Sequence, residues 1–296
     1  MKIFVTGATG FLGRRFCQTA TVEGHELLCL TRTPEPRLPA ACLTVEGTLA
    51  AVPWDEVDRF APGAVLHLAW VATPGVYLTS PENETLATQS EALFQQFAER
   101  GVPHLVGIGT CIEYAPSDEP LDEGRSALAP AFAYSRAKVS TSQRLQAIAA
   151  QHGVTSTWGR VFYPYGEGEH RDRMPSALMR KVAAGETLEL KTPDSVKDYI
   201  HVQDAAAALL AIIEKRLPGA VNIGTGQGVR ILDLARDIAR VCGGREGQVR
   251  RSPTPAEDPF PITVANVSKL RSTGWLPRVG LAEGLERLHV SLGLHS

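Results

Sequence analysis

Tyr134 and Lys138 stand four residues apart in Tyr134-Ser135-Arg136-Ala137-Lys138. That spacing puts both on one face of a helix. A tyrosine beside a lysine can move a proton to or from a substrate oxygen. A phenol of pKa ~10 is a poor acid–base at neutral pH, and lowering it by about 3 units takes ~4 kcal/mol. One ammonium about 4 Å away, at an effective dielectric of ~20, supplies that much. Lys138 alone is therefore expected to tune Tyr134. The pair is common on helices and gains its meaning from a second motif, Gly7-Ala8-Thr9-Gly10-Phe11-Leu12-Gly13. Gly7, Gly10 and Gly13 follow the apolar run Ile3-Phe4-Val5 and open a helical pattern. The first glycine allows a tight turn, and the second lets the backbone approach a pyrophosphate. The third lets the helix pack on the strand, so that its N-terminus faces the anion. A nicotinamide dinucleotide on this loop and a tyrosine–lysine pair downstream together read as an oxidoreductase.

The residue after the second strand chooses between the two nicotinamide cofactors. A carboxylate there accepts the adenosine ribose hydroxyl of NAD. This chain has Thr31-Arg32-Thr33 instead. A guanidinium pairs well with a 2′-phosphate, so NADP(H) is expected over NAD(H). The competing reading of Arg32 is a solvated surface side chain.

The elements that must position these groups alternate along the first half. Lys2 to Thr6, Glu26 to Leu30, Ala64 to Ala69, His104 to Gly109 and Thr155 to Phe162 read as strands. Leu12 to Thr21 and Tyr134 to His152 read as helices, the second ended by Gly153. Leu86, Leu93, Phe94 and Phe97 fall at helical spacing and predict a buried face. Alternating β and α with near-continuous apolar strands implies an α/β fold, a Rossmann doubly wound parallel sheet. After Phe162 the composition shifts to a loop through Arg173, a helix over about Pro175 to Ala184 and an extended stretch to Leu190. The chain then returns to the sheet region around Tyr199 to Lys215. The expected organisation is a cofactor-binding domain of 1–162 and 199–225, with a smaller interleaved α/β substrate lobe of 163–198 and 226–296.

Bulk properties exclude several classes. The chain has 296 residues, 44% hydrophobic and 21% charged, enough for a substantial core. A formal net charge of -2 makes no electrostatic case for nucleic acid or an acidic membrane. No apolar run approaches the ~20 residues of a spanning helix, and the N-terminus reads as a strand rather than a signal peptide. The five cysteines are scattered and lack metal-ligand spacing. They predict reduced thiols in a cytoplasmic protein and no metal site.

The motifs together resemble the extended short-chain dehydrogenase/reductases, the NAD-dependent epimerase/dehydratase group acting on nucleotide sugars. The pieces that carry the likeness span most of the chain. They are Thr6 to Gly13, His67-Leu68-Ala69, Gly109-Thr110, Tyr134 with Lys138, Arg160 to Gly166, Lys197-Asp198-Tyr199-Ile200-His201-Val202 with Asp204, and Asn222 to Gly226. The resemblance implies that Tyr134 exchanges a proton with the substrate oxygen. Lys138 would hold the nicotinamide ribose, and Thr110 would hydrogen-bond the same oxygen, its competing role being to satisfy a local turn. Thr9, Gly10, Phe11 and Leu12 would bind the pyrophosphate, while Leu68 and Ala69 line the cofactor cleft. A homodimer packed through Leu86 to Arg100 and Tyr134 to His152 is also implied, with a nucleotide-diphosphate sugar as the substrate partner.

Departures from the group's patterns narrow the reaction. Dehydratases of this group carry Asp-Glu after the catalytic Thr, where this chain has Cys111 and Ile112, and isoleucine moves no proton. Glu113 comes one residue too late, and strand alternation would point it away from Ile112. Thr110-Cys111-Ile112 resembles the Ser-Cys-Ile of GDP-fucose synthase-type epimerase-reductases, which leaves Cys111 and His170 as an alternative acid–base pair. Their competing readings are a small buried side chain and a solvated loop residue. Epimerases recycle a tightly held NAD, whereas Arg32 favours an exchangeable NADPH. The expected activity is therefore NADPH-dependent reduction of a 4-keto, often 6-deoxy, nucleotide sugar. Tyr163 replaces a frequent Asn, and Lys197 replaces a frequent Arg that meets the diphosphate. Arg251 is read as the substitute for a later Arg of the group, its competing reading being a surface residue. His201 and Asp204 are expected to hold the two lobes together. A polyphenol-type ketone substrate and a non-enzymatic NADP-binding regulator stay open as other readings.

Overall fold

The computed structural model describes residues 1–33, 37–245 and 247–294; positions 34–36, 246, 295 and 296 of the two expected domains lie outside them. The first strand, β1 (Lys2–Thr6), is buried from Ile3 onward. The chain leaves it through Gly7 at φ 70°, a left-handed turn that costs glycine little. A Cβ on Gly7 would come within 2.6 Å of the Ala69 amide nitrogen. Helix α1 (Phe11–Val22) follows, packed so close that a Cβ on Gly13 would overlap the Gly7 carbonyl oxygen.

The chain continues through β2 (Glu26–Thr31), β3 (Leu43–Glu46), α2 (Trp54–Phe60), β4 (Ala64–His67) and α3 (Glu82–Glu99). Next come β5 (His104–Thr110), a single 3-10 turn (Cys111–Glu113), α4 (Ala133–His152), β6 (Thr155–Val161), β7 (Tyr163–Tyr165) and α5 (Met174–Ala183). The last part holds β8 (Leu188–Leu190), β9 (Val196–Lys197), β10 (Tyr199–His201), α6 (Val202–Glu214), β11 (Gly219–Ile223), β12 (Val229–Arg230), α7 (Ile231–Val241), β13 (Val249–Arg251), β14 (Ile262–Thr263), α8 (Ser268–Arg271) and α9 (Leu281–Ser291).

Seven parallel strands form the main sheet in the order β3-β2-β1-β4-β5-β6-β11. The order reverses between β1 and β4, so the carboxyl ends of those strands open a crevice, the usual ligand position in such sheets. One face of the sheet is covered by α1 and α6, with Phe16, Ala20, Leu209 and Ile213 in its core. The other carries α3 and α4 over Phe94, Phe97, Leu145 and Trp158. Cover on both faces explains why the strands read as unbroken apolar runs. A second core gathers Met179, Leu234, Ile238, Leu285 and Leu288 from α5, α7 and α9, beside the short strands β7, β8, β10 and β13. The architecture is α/β, of the Rossmann doubly wound type.

Several expectations need correction. Strands β3 and β11 are in the main sheet without having been predicted. In β3 only Val45 of four residues is buried, and β11 starts on a glycine, so neither carries a strong apolar pattern. The segment from Tyr199 does not rejoin the main sheet as a strand. β10 pairs with β7, and it is α6, buried almost all round, that returns to the main layer. Leu86 is only half-buried, while Leu93, Phe94 and Phe97 are in the core. The fold also draws Cys17, Cys29 and Cys42 together, with their sulfurs all within 4.8 Å of one another; their spacing along the chain carried no sign of it. Among the described residues, no helix is long and apolar enough to cross a membrane.

Candidate active site

The crevice between β1 and β4 is built to take an anion. α1 begins at Gly10 with no side-chain cap, so its first amides are left for a ligand, with the positive end of the helix dipole behind them. The opposite wall is held by His67, whose Nδ1 lies 2.7 Å from Thr6 Oγ1 and Nε2 2.8 Å from Ser90 Oγ. Burial pushes that imidazole down to about 3, with the nearby Lys138 charge adding to the shift, so it is neutral. Thr6 Oγ1 also accepts the Ala69 amide at 3.3 Å, which fixes Leu68 and Ala69 against the Gly7 turn. Arg32 lies exposed just past β2. A glycine cradle that any Cβ would fill, a free helix N-terminus and a backbone wall together fit a dinucleotide.

Tyr134 and Lys138 lie in the first two turns of α4, on one face. The Tyr134 amide donates to Leu78 O at 3.1 Å, which ties the loop after β4 to this helix. Tyr77 meets the Tyr134 ring edge-on at 4.9 Å, and Trp70 stands 6.5 Å away. Lys138 Nζ donates to Ile108 O at 2.7 Å and sits 3.6 Å from the centre of the Trp70 ring. It is 5.8 Å from the centre of the Tyr134 ring.

These environments reverse the expected tuning. Burial drives the Tyr134 phenol above its ordinary range, and Tyr77, Glu113 and Cys111 push the same way. Burial also lowers Lys138 to about 7, with only Glu113 opposing. In a dry site both charged forms are disfavoured, and the ammonium points at a carbonyl and an indole. Without a bound cofactor Tyr134 is a phenol that holds its proton.

Thr110 ends β5, and the next turn is anchored by a residue whose importance the sequence concealed. Glu113 is fully buried. Its Oε1 accepts the Thr110 amide at 2.8 Å, and its Oε2 accepts Arg160 Nε at 2.7 Å. Trp158 Nε1 donates to both oxygens at 3.1 Å. The carboxylate thus holds the turn that presents Thr110, Cys111 and Ile112. Thr110 Oγ1 accepts the Ile112 amide at a long 3.4 Å. Cys111 is 4% exposed and packs with Tyr114, Leu121 and Phe162. Burial pushes its thiol up to about 12. His170 is exposed in a loop, its ring accepting the Asp172 amide at 3.2 Å. The buried Cys111 thiol is therefore not poised as an acid or base at neutral pH.

A cavity of about 230 Å³ is lined by Tyr77, Tyr163, Arg173, Met174, Lys197 and Tyr199, among others. Tyr163 packs against Tyr199 at 5.7 Å between ring centres. Lys197 faces this cavity but is already paired, 2.8 Å from Asp258 and donating to Phe260 O. Lys197, expected where an Arg meets the diphosphate, thus has its charge balanced by Asp258. Arg251 is likewise engaged, with both terminal nitrogens on exposed Asp194 at 2.6 and 2.7 Å. Arg173 is a cation the sequence reading passed over as part of a charged loop. It stands at the N-cap position of α5, donates to Pro164 O at 3.1 Å and lies 5.5 Å from the Phe11 ring. Its position joins the dinucleotide loop to the cavity. Trp70 was also missed, because nothing beyond its place after His67-Leu68-Ala69 marks it. A larger cavity of about 640 Å³, lined by Asp122, Arg125, Asn266 and Arg271 among others, holds none of the sequence-predicted site residues.

The residues expected to join the lobes make long-range contacts. Asp204 accepts the amides of Arg278 and Val279 at 3.0 and 2.9 Å. His201 Nε2 lies 2.9 Å from Glu167 Oε2. Asp198, buried, accepts the Thr225, Gly226 and Ala265 amides.

Residues 3–224 match the model of the NAD dependent epimerase/dehydratase family. The UDP-glucose 4-epimerase of Azospirillum brasilense is 28% identical, over 98% of this chain and 91% of its own length. The dTDP-4-dehydro-6-deoxy-D-allose reductase of Streptomyces bikiniensis is 27% identical, over 85% of this chain and 84% of its own. Among solved structures, MoeE5 in complex with UDP-glucuronic acid and NAD superposes with a TM-score of 0.82 at 25% identity, over 99% of both chains.

Proposed function

Because this chain belongs to the NAD dependent epimerase/dehydratase family, and so is an enzyme of nicotinamide cofactors, we propose that it reduces a 4-keto hexose, often 6-deoxy, carried on a nucleoside diphosphate, with NADPH as reductant. The observation that carries the choice of reductant is the Thr31-Arg32-Thr33 end of β2. Arg32 suits a 2′-phosphate, and Thr31-Arg32-Thr33 itself carries no carboxylate to accept the ribose hydroxyl of NAD. Reduction also needs a proton donor at the ketone oxygen, the role this reading gives to Tyr134.

In this reading residues 1–162 with 199–225 bind the cofactor, and 163–198 with 226–296 bind the sugar nucleotide. NADPH supplies the hydride for the ketone carbon. Tyr134 gives its phenolic proton to the ketone oxygen, and Thr110 orients that oxygen. Lys138 holds the nicotinamide ribose. The cavity of Tyr163 and Tyr199 takes the sugar, and the outer helices α3 and α4 form a dimer face.

The reading is tested by incubating the purified chain with dTDP- and GDP-4-keto-6-deoxyhexoses and either cofactor. Consumption of NADPH in step with a new C4 hydroxyl is expected, with Arg32→Glu raising the KM for NADPH at least tenfold. A tightly retained NAD that interconverts C4 epimers without net consumption, as the likeness to epimerases allows, would overturn it.

The ammonium of Lys138 titrates at about 7, below the ordinary lysine range. Below that pH it is charged and favours an anionic cofactor, and above it the charge must be regained on binding. NADPH affinity should therefore fall as pH rises through 7, by up to about tenfold per unit. A fluorescence titration from pH 6.5 to 9 checks this, and Lys138→Met should flatten the slope.

A further inference from the structure

Cys17, on the inner face of α1, Cys29, in the middle of β2, and Cys42, just before β3, converge beneath the dinucleotide domain's first helix. Cys17 Sγ lies 3.8 Å from Cys29 Sγ, and all three sulfurs fall within 4.8 Å of one another. Cys17 and Cys29 are fully buried, and Cys42 is half-buried.

The spacing matches a known coordination chemistry. With zinc–sulfur bonds of ~2.3 Å, tetrahedral geometry sets thiolate sulfurs ~3.8 Å apart. One pair already has that separation, and the others are within about 1 Å of it. Thiolate-only ligation selects soft closed-shell cations over hard ones such as Mg2+ or Ca2+. Cys42 is the one sulfur of the three that is not fully buried, which leaves a side by which a cation can enter.

We propose that Cys17, Cys29 and Cys42 form a three-sulfur site for one thiophilic d10 cation of the Zn2+ class, with a fourth position open on the Cys42 side. Binding releases the thiol protons and makes three metal–sulfur bonds without any change of oxidation state. It would tie α1, β2 and the segment leading into β3 across the Arg32 corner. The site does not depend on the reductase reading.

The test titrates the reduced, chelator-treated full-length chain with Cd2+, following the thiolate-to-metal charge-transfer band. One equivalent per chain is expected, together with a raised Tm. Cys42→Ser should weaken binding at least tenfold, and Cys242→Ser should bind as wild type. Far-ultraviolet circular dichroism shows whether each variant is folded, and Cys42→Ala serves if the serine variant is not. No saturable one-equivalent band, or the same band in a folded Cys42 variant, overturns the proposal. So does a wild-type chain that, exposed to mild peroxide, loses two hydrogens by forming a disulfide and that in its reduced form binds no metal.

Discussion

Tyr134→Phe should lower turnover by about 10²–10⁴-fold, the usual span of a lost general acid, while leaving the affinity for the nicotinamide cofactor unchanged. The substitution removes one oxygen. The ring contacts to Tyr77 and Trp70 need only the ring, and the tie to Leu78 is made by the backbone amide. Lys138 keeps its bond to Ile108 O and its seat on Trp70, so the cofactor wall is undisturbed. What goes is a phenolic hydroxyl that burial keeps protonated and neutral at neutral pH. Steady-state kinetics beside a direct cofactor titration separate the two effects. Near-normal turnover would remove Tyr134 from the chemistry, and a parallel loss of cofactor binding would mean the change acts through structure.

Glu113→Ala should cost about 3–5 kcal/mol of stability, the range for stripping one partner from a buried ion pair. Arg160 is 5% exposed, and its guanidinium has Glu113 as its carboxylate partner at 2.7 Å. Tyr114 Oη also accepts from it, at 2.9 Å, but is neutral. The variant leaves a charge in the core and an amide of Thr110 without its acceptor. Urea unfolding reads the effect as a lowered midpoint with an unchanged slope. Glu113→Gln with Arg160→Met should recover much of the loss, since it removes the stranded charge and the amide oxygen introduced at 113 can still accept the Thr110 amide. A single-variant cost below ~1 kcal/mol, the scale of exposed pairs, would show the pair is not the anchor of this turn.

The two variants probe parts of the site that were unequally visible in the sequence. Tyr134 and Lys138 declare themselves by a four-residue spacing within one helix, and Gly7, Gly10 and Gly13 by a turn that only glycine fits. Such signals are local, because helix periodicity and backbone sterics act over a few residues. The strands β1, β2, β4, β5 and β6 were legible for a related reason: burial on both faces leaves a continuous apolar run. β3 and β11, with less burial or a glycine start, left no such trace.

What the sequence determined by itself was the cofactor loop, the alternation of β and α that implies a doubly wound sheet, and the identity of the tyrosine–lysine pair. Tertiary structure decided the electrostatics of that pair, because burial depends on elements distant in the chain. Trp70 and Tyr77 come from the loop after β4, and Glu113 from the turn after β5. Their packing turned an expected acidic phenol into one that holds its proton. Tertiary structure alone also joined Glu113 to Arg160, paired Lys197 with Asp258, brought Arg173 to Phe11 and gathered three separate cysteines. Each of these is a contact between residues far apart in sequence, whose meaning lies in a distance that spacing along the chain does not encode.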